Sequence, residues 1–339
     1  MTEALQVDSK EQSVLITGAT GFLGKYAVDE FVQNGYEVIA TGRNMAALSQ
    51  LERTGATTIP ASLVDLREVE VSADTIVHSA ALSSPWGKWS EFYDSNVAGT
   101  RHMIDFAARN QIKRFVYVSS PSIYSGREDR FNIGEDDFDP DNNLNHYIRS
   151  KIMAEHMLEL ALQRGDIPEL AIIRPRGLIG VGDPSLIPRL IAASRKTGIP
   201  LFNDGENQVD LTCVENVALA LRLAAEAPLD KYHTFNITNG EPAAFKDLVD
   251  SFFAAIGEVP RYKKLNYTAI YGLAAILEKA FMVLPHSPEP PVTRYTVSTL
   301  AHSQTLDISR ARQILGYTPT VSIQEGIAVY AENHRIQHA

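Results

Sequence analysis

The sequence is short of several residue types, and each shortage excludes a class of protein. Cys213 is the single cysteine in 339 residues, so no internal disulfide can form and a cysteine-rich metal site is excluded. This usage predicts a reducing, cytoplasmic location. Acidic residues outnumber basic ones by 41 to 31, and the net charge of -10 disfavours a surface for nucleic acid. No metal is expected, because His78, His102, His146 and His156 lack partners at ligand spacing.

Long apolar runs are also missing. The most apolar segment, residues 269–284, is shorter than the roughly 20 residues that a bilayer span requires, and it carries Glu278 and Lys279. Its helical apolar spacing favours a core position or a homodimer contact, with a peripheral membrane surface or an apolar-substrate role as alternatives. Residues 1–12 lack the apolar centre of a signal peptide, so we expect a polar tail there.

What the sequence does contain is an alternation of strand-like and helix-like segments. Hydrophobic residues make up 45% of the chain, enough for a large core in one or two domains. The pattern predicts an α/β fold with a Rossmann-type doubly wound parallel sheet, whose ligands lie at the carboxyl ends of the strands. We expect this domain over residues 13–176. Residues 177–339 are expected to form mainly a smaller, partly helical substrate region, with some elements returning to the first domain. The predicted strands are 14–17, 38–41, 57–61, 75–78, 115–119 and 170–174, and the predicted helices are 25–34, 91–109 and 147–163.

A glycine loop, TGATGFLG, follows the first predicted strand directly and enters a helix. Gly18 permits a tight turn, Gly21 lets the backbone approach a pyrophosphate, and Gly24 allows close helix–sheet packing. The helix N-terminus then favours the phosphate charge. The loop therefore predicts a binding site for a dinucleotide, NAD(P). The other predicted cofactor contacts in the loop are Thr20, Phe22 and Leu23.

The choice of dinucleotide depends on the end of the second strand, which reads Thr41-Gly42-Arg43-Asn44. A carboxylate there would bind the ribose 2′-hydroxyl and repel a 2′-phosphate, but none is present. The Arg43 guanidinium can pair with phosphate or stack on adenine, while a solvated helix-start position is the alternative. We therefore predict that Arg43 and Asn44 contact the cofactor and that NADP(H) is preferred, with NAD(H) as the second choice.

Three further features suggest acid–base chemistry. Tyr147 and Lys151 are four residues apart on a predicted helix, so the ammonium can approach the phenol and lower its pKa from about 10. Such a tyrosine can exchange a proton with a carbonyl or alcohol oxygen. Ser119 and Ser120 end the fifth strand, where a hydroxyl can hold a substrate oxygen or merely form a turn. Asn96 lies within a predicted helix, facing solvent or holding a backbone group or water beneath the site.

With these features in this order, the sequence resembles the extended short-chain dehydrogenase/reductase superfamily. The similarity runs through TGATGFLG, NVAGT, VYVSSPSIY, IIRPRGLIGVGD and VDLTCVENVA. It implies that Tyr147 is the catalytic acid/base, that Lys151 binds the nicotinamide ribose and the phenol, that Ser120 binds the substrate oxygen and that Asn96 serves a proton relay. The resemblance also implies cofactor contacts from Ser79, Ala80, Ala81, Ser119 and Pro175.

Within that superfamily, the segments HSAALSSPWGKW and TRYTVSTLAHSQTLDISRARQILGY look most like the 3β-hydroxysteroid dehydrogenase branch, which includes 2-alkyl-3-oxoalkanoate reductases. The likeness implies an NAD(P)-dependent oxidoreductase acting on a bulky apolar secondary alcohol or ketone. Trp86, Ser122, Gly177 and Leu178 are the expected substrate contacts. Trp89 is a further candidate, with ordinary packing the alternative for at least one tryptophan.

Two positions depart from the superfamily pattern. Ser62 and Leu63 stand where relatives place Asp-Leu after the third strand, so the expected adenine contact falls to backbone or to the Ser62 hydroxyl. Gly177 stands where nucleotide-sugar enzymes place an asparagine, which counts against a nucleotide-sugar substrate. A nucleotide-sugar epimerase or dehydratase remains the main alternative function, and a non-catalytic NADP sensor is a third.

Overall fold

The computed structural model describes residues 12–338, so nearly all of the predicted polar tail lies outside the described residues. The strands are β1 (Ser13–Thr17), β2 (Glu37–Gly42), β3 (Thr57–Pro60), β4 (Thr75–His78), β5 (Arg114–Val118), β6 (Arg130–Ile133), β7 (Glu169–Pro175), β8 (Leu178–Ile179), β9 (Ile199–Leu201), β10 (Gln208–Val209), β11 (Thr212–Cys213), β12 (Tyr232–Ile237), β13 (Ala243–Ala244), β14 (Tyr262–Lys264) and β15 (Gln304–Leu306). The helices are α1 (Phe22–Gln33), α2 (Met45–Arg53), α3 (Trp89–Phe92), α4 (Gly99–Arg109), α5 (His146–Arg164), α6 (Leu186–Lys196), α7 (Val214–Glu226), α8 (Phe245–Ala255), α9 (Tyr267–Met282), α10 (Arg294–Ala301) and α11 (Ile323–His338).

Seven strands form one sheet in the order β12-β7-β5-β4-β1-β2-β3, and every pairing is parallel. Alternate residues of each strand enter different cores. Val14 and Ile16 pack with α1 and α7, while Leu15 packs with α4 and α5 on the opposite face. Both faces are therefore covered, and the predicted doubly wound parallel sheet is confirmed. Strand order reverses between β1 and β4, which opens a ligand crevice at their carboxyl ends.

The second half of the chain contributes to two layers. β12 completes the large sheet beside β7, and α7 packs against α1. The remaining elements build a third core from α6, α8 and α11 and a small sheet in the order β13-β10-β15-β6. β6 comes from the first half, so strands cross the proposed boundary at residue 176 in both directions. That boundary stays a prediction.

The predicted helix over 91–109 is interrupted. It consists of α3, a π-helical segment (Tyr93–Ala98) and α4. A π-segment widens the turn and often marks a functional site. This one carries Asn96, which is buried. The interruption therefore places an asparagine toward the interior at the level of the crevice.

The apolar segment 269–284 lies mostly in α9, and only one of its faces is covered. Tyr271 and Ala274 pack with α10 and Phe202. On the other face, Ile276 is 67% exposed. The expected core position therefore holds for one face only, because the helix is apolar around more of its circumference than its neighbours cover. Across residues 12–338, no helix has both the length and the hydropathy needed to span a bilayer.

Candidate active site

The glycine loop is packed so closely that side chains cannot enter it. Gly18 has a positive φ of 67°, and Gly21 N donates to Gly18 O at 2.9 Å. A Cβ at Gly18 would lie 2.7 Å from Ala80 N, and one at Gly24 would overlap the Gly18 carbonyl oxygen. No side chain caps the first turn of α1, so its amide groups are free to bind an anion. The loop therefore fits a dinucleotide pyrophosphate.

A buried chain of hydrogen bonds fixes the loop after β4. Ala80 N donates to Thr17 Oγ1 at 3.3 Å, and Thr17 Oγ1 lies 2.7 Å from His78 Nδ1. His78 Nε2 lies 3.2 Å from Thr100 Oγ1, whose hydroxyl donates to Asn96 O at 2.6 Å. Because the Thr100 proton is used there, His78 must donate from Nε2 and accept at Nδ1. Burial, with a smaller contribution from the Lys151 charge, lowers the pKa of His78 to about 3, which keeps this ring neutral.

The Asn96 side chain holds the backbone beyond that loop. It accepts from Leu82 N at 2.7 Å and donates to Leu82 O at 3.1 Å. Its amide also donates to Ser150 Oγ at 2.9 Å, and that hydroxyl donates to Tyr147 O at 2.8 Å. The sequence left it open whether Asn96 faces solvent or holds a backbone group or water beneath the site. The structure shows it buried and holding the backbone. Asn96 thus links the loop after β4 to the first turn of α5.

That first turn of α5 presents Tyr147. Asn145 caps the helix by accepting from Ile148 N at 2.8 Å, which sets the position of the turn. Burial raises the pKa of the Tyr147 phenol, while hydrogen bonding to Ser120 and Ser83 lowers it. Ser120 follows β5 directly. The phenol therefore lies at the strand end where the Rossmann fold places its ligands.

Lys151 is buried and bound to β5 rather than to the phenol. Its Nζ donates to Val118 O at 2.7 Å and to Tyr117 OH at 3.1 Å. Burial lowers the pKa of the ammonium to about 7, and the Glu155 carboxylate acts in the opposite direction. The spacing of four placed both residues on one helix face, but the ammonium reaches past Tyr147 to the strand. It is held next to Ser119, whose buried hydroxyl has no hydrogen-bond partner among the described residues.

The ends of β2 and β3 hold the other predicted cofactor residues. Arg43 is exposed, and Asn44 caps α2 by accepting from Ala47 N at 3.1 Å. The Ser62 hydroxyl donates to Asp65 Oδ2 at 2.7 Å, so it is already engaged by the next acid in the sequence. Further placements of predicted residues are Thr20 packed at Gly42, Leu23 buried in α1, Phe22 beside Tyr26, and Leu63 packed at Gly99.

The residues predicted to contact the substrate do not all lie together. Ser122 Oγ lies 3.0 Å from Ser120 Oγ and 2.8 Å from Tyr295 OH, so it belongs to the end of β5 where Ser120 lies. Trp86 Nε1 donates to Ser287 O at 2.9 Å and connects the loop after β4 with the segment that follows α9. Elsewhere, Leu178 packs on the core formed with α1, and a Cβ at Gly177 would lie 3.1 Å from Asp210 O. Trp89 stacks under Arg149, with 4.1 Å from ring centre to guanidinium carbon, which is a packing role.

Sequence reasoning missed three residues that border the site. Ser83 and Tyr295 lie in HSAALSSPWGKW and TRYTVSTLAHSQTLDISRARQILGY, the segments that carry the resemblance to the 3β-hydroxysteroid dehydrogenase branch, which was the available signal for them. Arg176 stands between the predicted residues Pro175 and Gly177 and is buried. An arginine next to two predicted contacts was the available signal. In the part of the chain that the structure describes, no three His, Cys, Asp or Glu side chains are grouped to hold a metal ion.

Comparisons with known proteins identify the family and the fold. The model of the NAD dependent epimerase/dehydratase family matches residues 14–238. A 2-alkyl-3-oxoalkanoate reductase from Stenotrophomonas maltophilia is 32% identical, over 93% of this chain and 97% of its own length. A decarboxylating sterol-4-alpha-carboxylate 3-dehydrogenase from Candida albicans is also 32% identical, over 93% and 95%.

A solved structure, MoeE5 in complex with UDP-glucose and NAD, superposes with a TM-score of 0.76 at 25% identity, covering 96% of this chain and all of that one. The relatives named above are a reductase and a dehydrogenase, and the resemblance to the extended short-chain enzymes and their 3β-hydroxysteroid dehydrogenase branch is confirmed. The chain belongs to the NAD dependent epimerase/dehydratase family.

Proposed function

We propose that the protein is an NAD(P)-dependent oxidoreductase that interconverts a bulky apolar ketone and its secondary alcohol. The observation that carries this proposal is the position of Tyr147 on the first turn of α5, at the carboxyl end of β5. Asn96 and Ser150 hold this turn, and hydrogen bonding to Ser120 and Ser83 lowers the pKa of the phenol. The phenol lies beside the crevice that the glycine loop borders. A proton donor and a dinucleotide site at one strand end are what carbonyl reduction needs.

Each side chain of the site has a task in this chemistry. The bound nicotinamide would supply or accept the hydride. Tyr147 gives its proton to the carbonyl oxygen during reduction and takes it back during oxidation. Ser120 hydrogen-bonds the same oxygen and orients it. Lys151 stabilises the phenolate electrostatically, and its position beside the Ser119 hydroxyl suits the nicotinamide ribose.

Two observations support an apolar substrate. The named relatives act on a 2-alkyl-3-oxoalkanoate and on a sterol-4-alpha-carboxylate, both of which combine an oxygenated carbon with a large apolar body. The segment after α9 is tied to the loop after β4 through Trp86 and Ser287. The half-covered apolar helix α9 therefore adjoins the active-site loops and can shield such a substrate, pair with a second copy or rest on a membrane surface.

The preferred cofactor in this proposal is NADP(H). Arg43 is exposed at the end of β2, where no carboxylate is present to bind a 2′-hydroxyl. Its guanidinium is free to approach a 2′-phosphate or the adenine face. NAD(H) is the second choice, since the solved neighbour MoeE5 contains NAD. The cytoplasmic location stays a prediction.

The similarity to MoeE5, which was solved with UDP-glucose, favours a second candidate, a nucleotide-sugar epimerase or dehydratase. Such an enzyme would use the same phenol. Against it, the residue that follows Arg176 is Gly177, which has no side chain to hydrogen-bond a sugar diphosphate. A non-catalytic NADP sensor would have no need of the Tyr147, Ser120 and Lys151 set.

A substrate panel tests the proposal. Purified protein is given NADPH or NADH with steroid ketones, 2-alkyl-3-oxoalkanoates or UDP-glucose, and both nicotinamide absorbance and products are followed. We expect one NADPH consumed for each ketone reduced. Conversion of UDP-glucose without net cofactor change would replace the proposal with the epimerase. Binding of NADPH without any turnover would favour the sensor.

A further inference from the structure

Arg176 is a buried arginine whose guanidinium has no hydrogen-bond partner among the described residues. It follows β7 directly and is only 7% exposed. Among residues 12–338, no group accepts a hydrogen bond from its guanidinium or forms an ion pair with it. Arg174, two residues earlier, shows the usual solution: its guanidinium is bonded to the Glu155 carboxylate, the Tyr124 hydroxyl and the Glu135 carbonyl. A buried charge without such partners is costly.

The carboxylate that acts on the pKa of Arg176 is that of Asp210, and it is engaged elsewhere. Asp210 Oδ2 accepts from Leu306 N at 2.7 Å, and its carboxylate forms no ion pair with Arg176. Burial lowers the pKa of the Arg176 guanidinium, while the charges of Tyr295 and Asp210 raise it. Even so lowered, an arginine remains charged at neutral pH. The site therefore holds a positive charge whose five donors are unused.

That charge adjoins the wall of the active site. Tyr295, which acts on the guanidinium, bonds Ser122 at 2.8 Å, and Ser122 is 3.0 Å from Ser120. Hydrogen bonding with Ser120 lowers the pKa of Tyr147. Arg176 follows β7, which pairs with β5, and Ser120 lies just beyond the carboxyl end of β5, so Arg176 and the proton donor belong to neighbouring strand ends. A ligand whose reacting oxygen meets Tyr147 can present a second polar group toward Arg176.

We propose that Arg176 binds a substrate carboxylate attached to the carbon next to the reacting one, the group that a 3-oxoalkanoate and a sterol-4-alpha-carboxylate, the substrates in the relatives' names, both carry. This inference rests on the proposed function and adds the group that selects the substrate. A planar guanidinium matches a carboxylate with two parallel hydrogen bonds. In such an acid the carboxyl and carbonyl carbons are two bonds apart, so the proposal requires both anchors to lie on one wall of the site. Arg176 determines specificity, and the transfer of hydride and proton proceeds as described above.

The test compares three alcohols that differ only at the carboxyl position: a 2-alkyl-3-hydroxyalkanoic acid, its methyl ester, and the alcohol lacking that group. Oxidation by NADP⁺ is measured for wild type, Arg176→Met and Arg176→Lys. We expect wild type to favour the acid in kcat/KM, and Arg176→Met to lose about 10- to 100-fold on the acid alone. Arg176→Lys should keep part of the preference.

Arg189→Met is the matched control, because Arg189 is a surface arginine paired with Glu289. It should leave all three rates unchanged. Equal use of acid and ester by wild type, or an equal loss on all three substrates in Arg176→Met, would overturn the carboxylate anchor while leaving the redox function standing.

A binding measurement separates failure of the anchor from failure of the proposed function. Calorimetric titration of the three alcohols and of UDP into the NADP⁺-loaded protein needs no turnover. Acid binding that Arg176→Met weakens about 10-fold or more, in protein with an unchanged unfolding temperature, supports the anchor even if no oxidation occurs. Binding of UDP that requires Arg176 would instead assign the guanidinium to a diphosphate and contradict the proposal.

Discussion

Replacing Gly24 by alanine should destabilise the protein, although the residue lies in a helix. Alanine normally stabilises a helical position relative to glycine by about 0.5–1 kcal/mol. Here the added methyl group would overlap the Gly18 carbonyl oxygen and lie 2.7 Å from Ala19 Cα. Both are backbone atoms of the glycine loop, so no flexible side chain can move aside. The loop itself must shift.

The magnitude follows from the two opposing contributions. Overpacking of a close interior contact costs about 1–3 kcal/mol, which exceeds the helix gain. We therefore expect Gly24→Ala to lower the free energy of unfolding by roughly 1–2 kcal/mol. The same shift moves the Gly18–Gly21 turn, so cofactor affinity should fall about tenfold or more, equivalent to about 1.4 kcal/mol.

Gly272→Ala provides the matched control. Gly272 also lies in a helix, α9, but a Cβ there would meet no atom within 4 Å. This variant should gain stability and bind cofactor as wild type does. Urea unfolding gives both free energies, and NADPH fluorescence titration gives both affinities. If Gly24→Ala stabilised the protein like Gly272→Ala and bound NADPH normally, the close packing of the loop would be refuted.

Three other substitutions test separate parts of the site. Lys151→Met should lose turnover and cofactor affinity together, because the proposed function assigns one ammonium both to the nicotinamide ribose and to electrostatic stabilisation of the phenolate. Steady-state kinetics and NADPH titration would contradict this if only substrate KM changed. Arg43→Ala should lower the preference for NADPH over NADH, and an unchanged ratio of kcat/KM would remove the 2′-phosphate contact. His78, with a pKa of about 3 when folded and about 6.5 when unfolded, favours unfolding increasingly as pH falls below 6.5. Between pH 7 and pH 5, the free energy of unfolding measured in urea should therefore fall by about 2 kcal/mol less in His78→Asn than in wild type. An equal fall in both proteins would contradict the buried neutral ring.

The large sheet was predictable from sequence because its strands are buried on both faces. Val14–Thr17, for example, is an unbroken β-branched and aliphatic run, and the predicted strand matches β1 within a residue. The spacing Ser322-x-x-Glu325 is another such signal, and both hydrogen bonds of this capping box form at the start of α11. Such signals are local, so neighbouring residues suffice to specify them.

The structure differs from the prediction where residues far apart in the sequence determine the local conformation. The helix over 91–109 contains a π-segment, because the Asn96 side chain is drawn inward to Leu82 and Ser150, which its own sequence neighbourhood does not reveal. β8 and β11 are two residues each, too short for a pattern.

The active-site residues also fall into two groups, those that local motifs predict and those that only the three-dimensional structure brings together. The glycine loop and the Tyr147–Lys151 spacing are local motifs that sequence reasoning could find. Tyr295 contacts Ser122 although the two are 173 residues apart in the sequence, and no periodicity indicates that contact. The partners of Lys151 on β5 are likewise visible only in three dimensions.

The measurement that tests the central claim most directly is the fate of deuterium carried at both hydrogen positions of the nicotinamide C4. With a 3-oxo carboxylic acid as substrate, wild type should transfer the label to the carbinol carbon of the product. Tyr147→Phe should bind NADPH with wild-type affinity but turn over about 10²- to 10⁴-fold more slowly, since only proton transfer is removed. Product without the label, or undiminished turnover in Tyr147→Phe, would contradict the account.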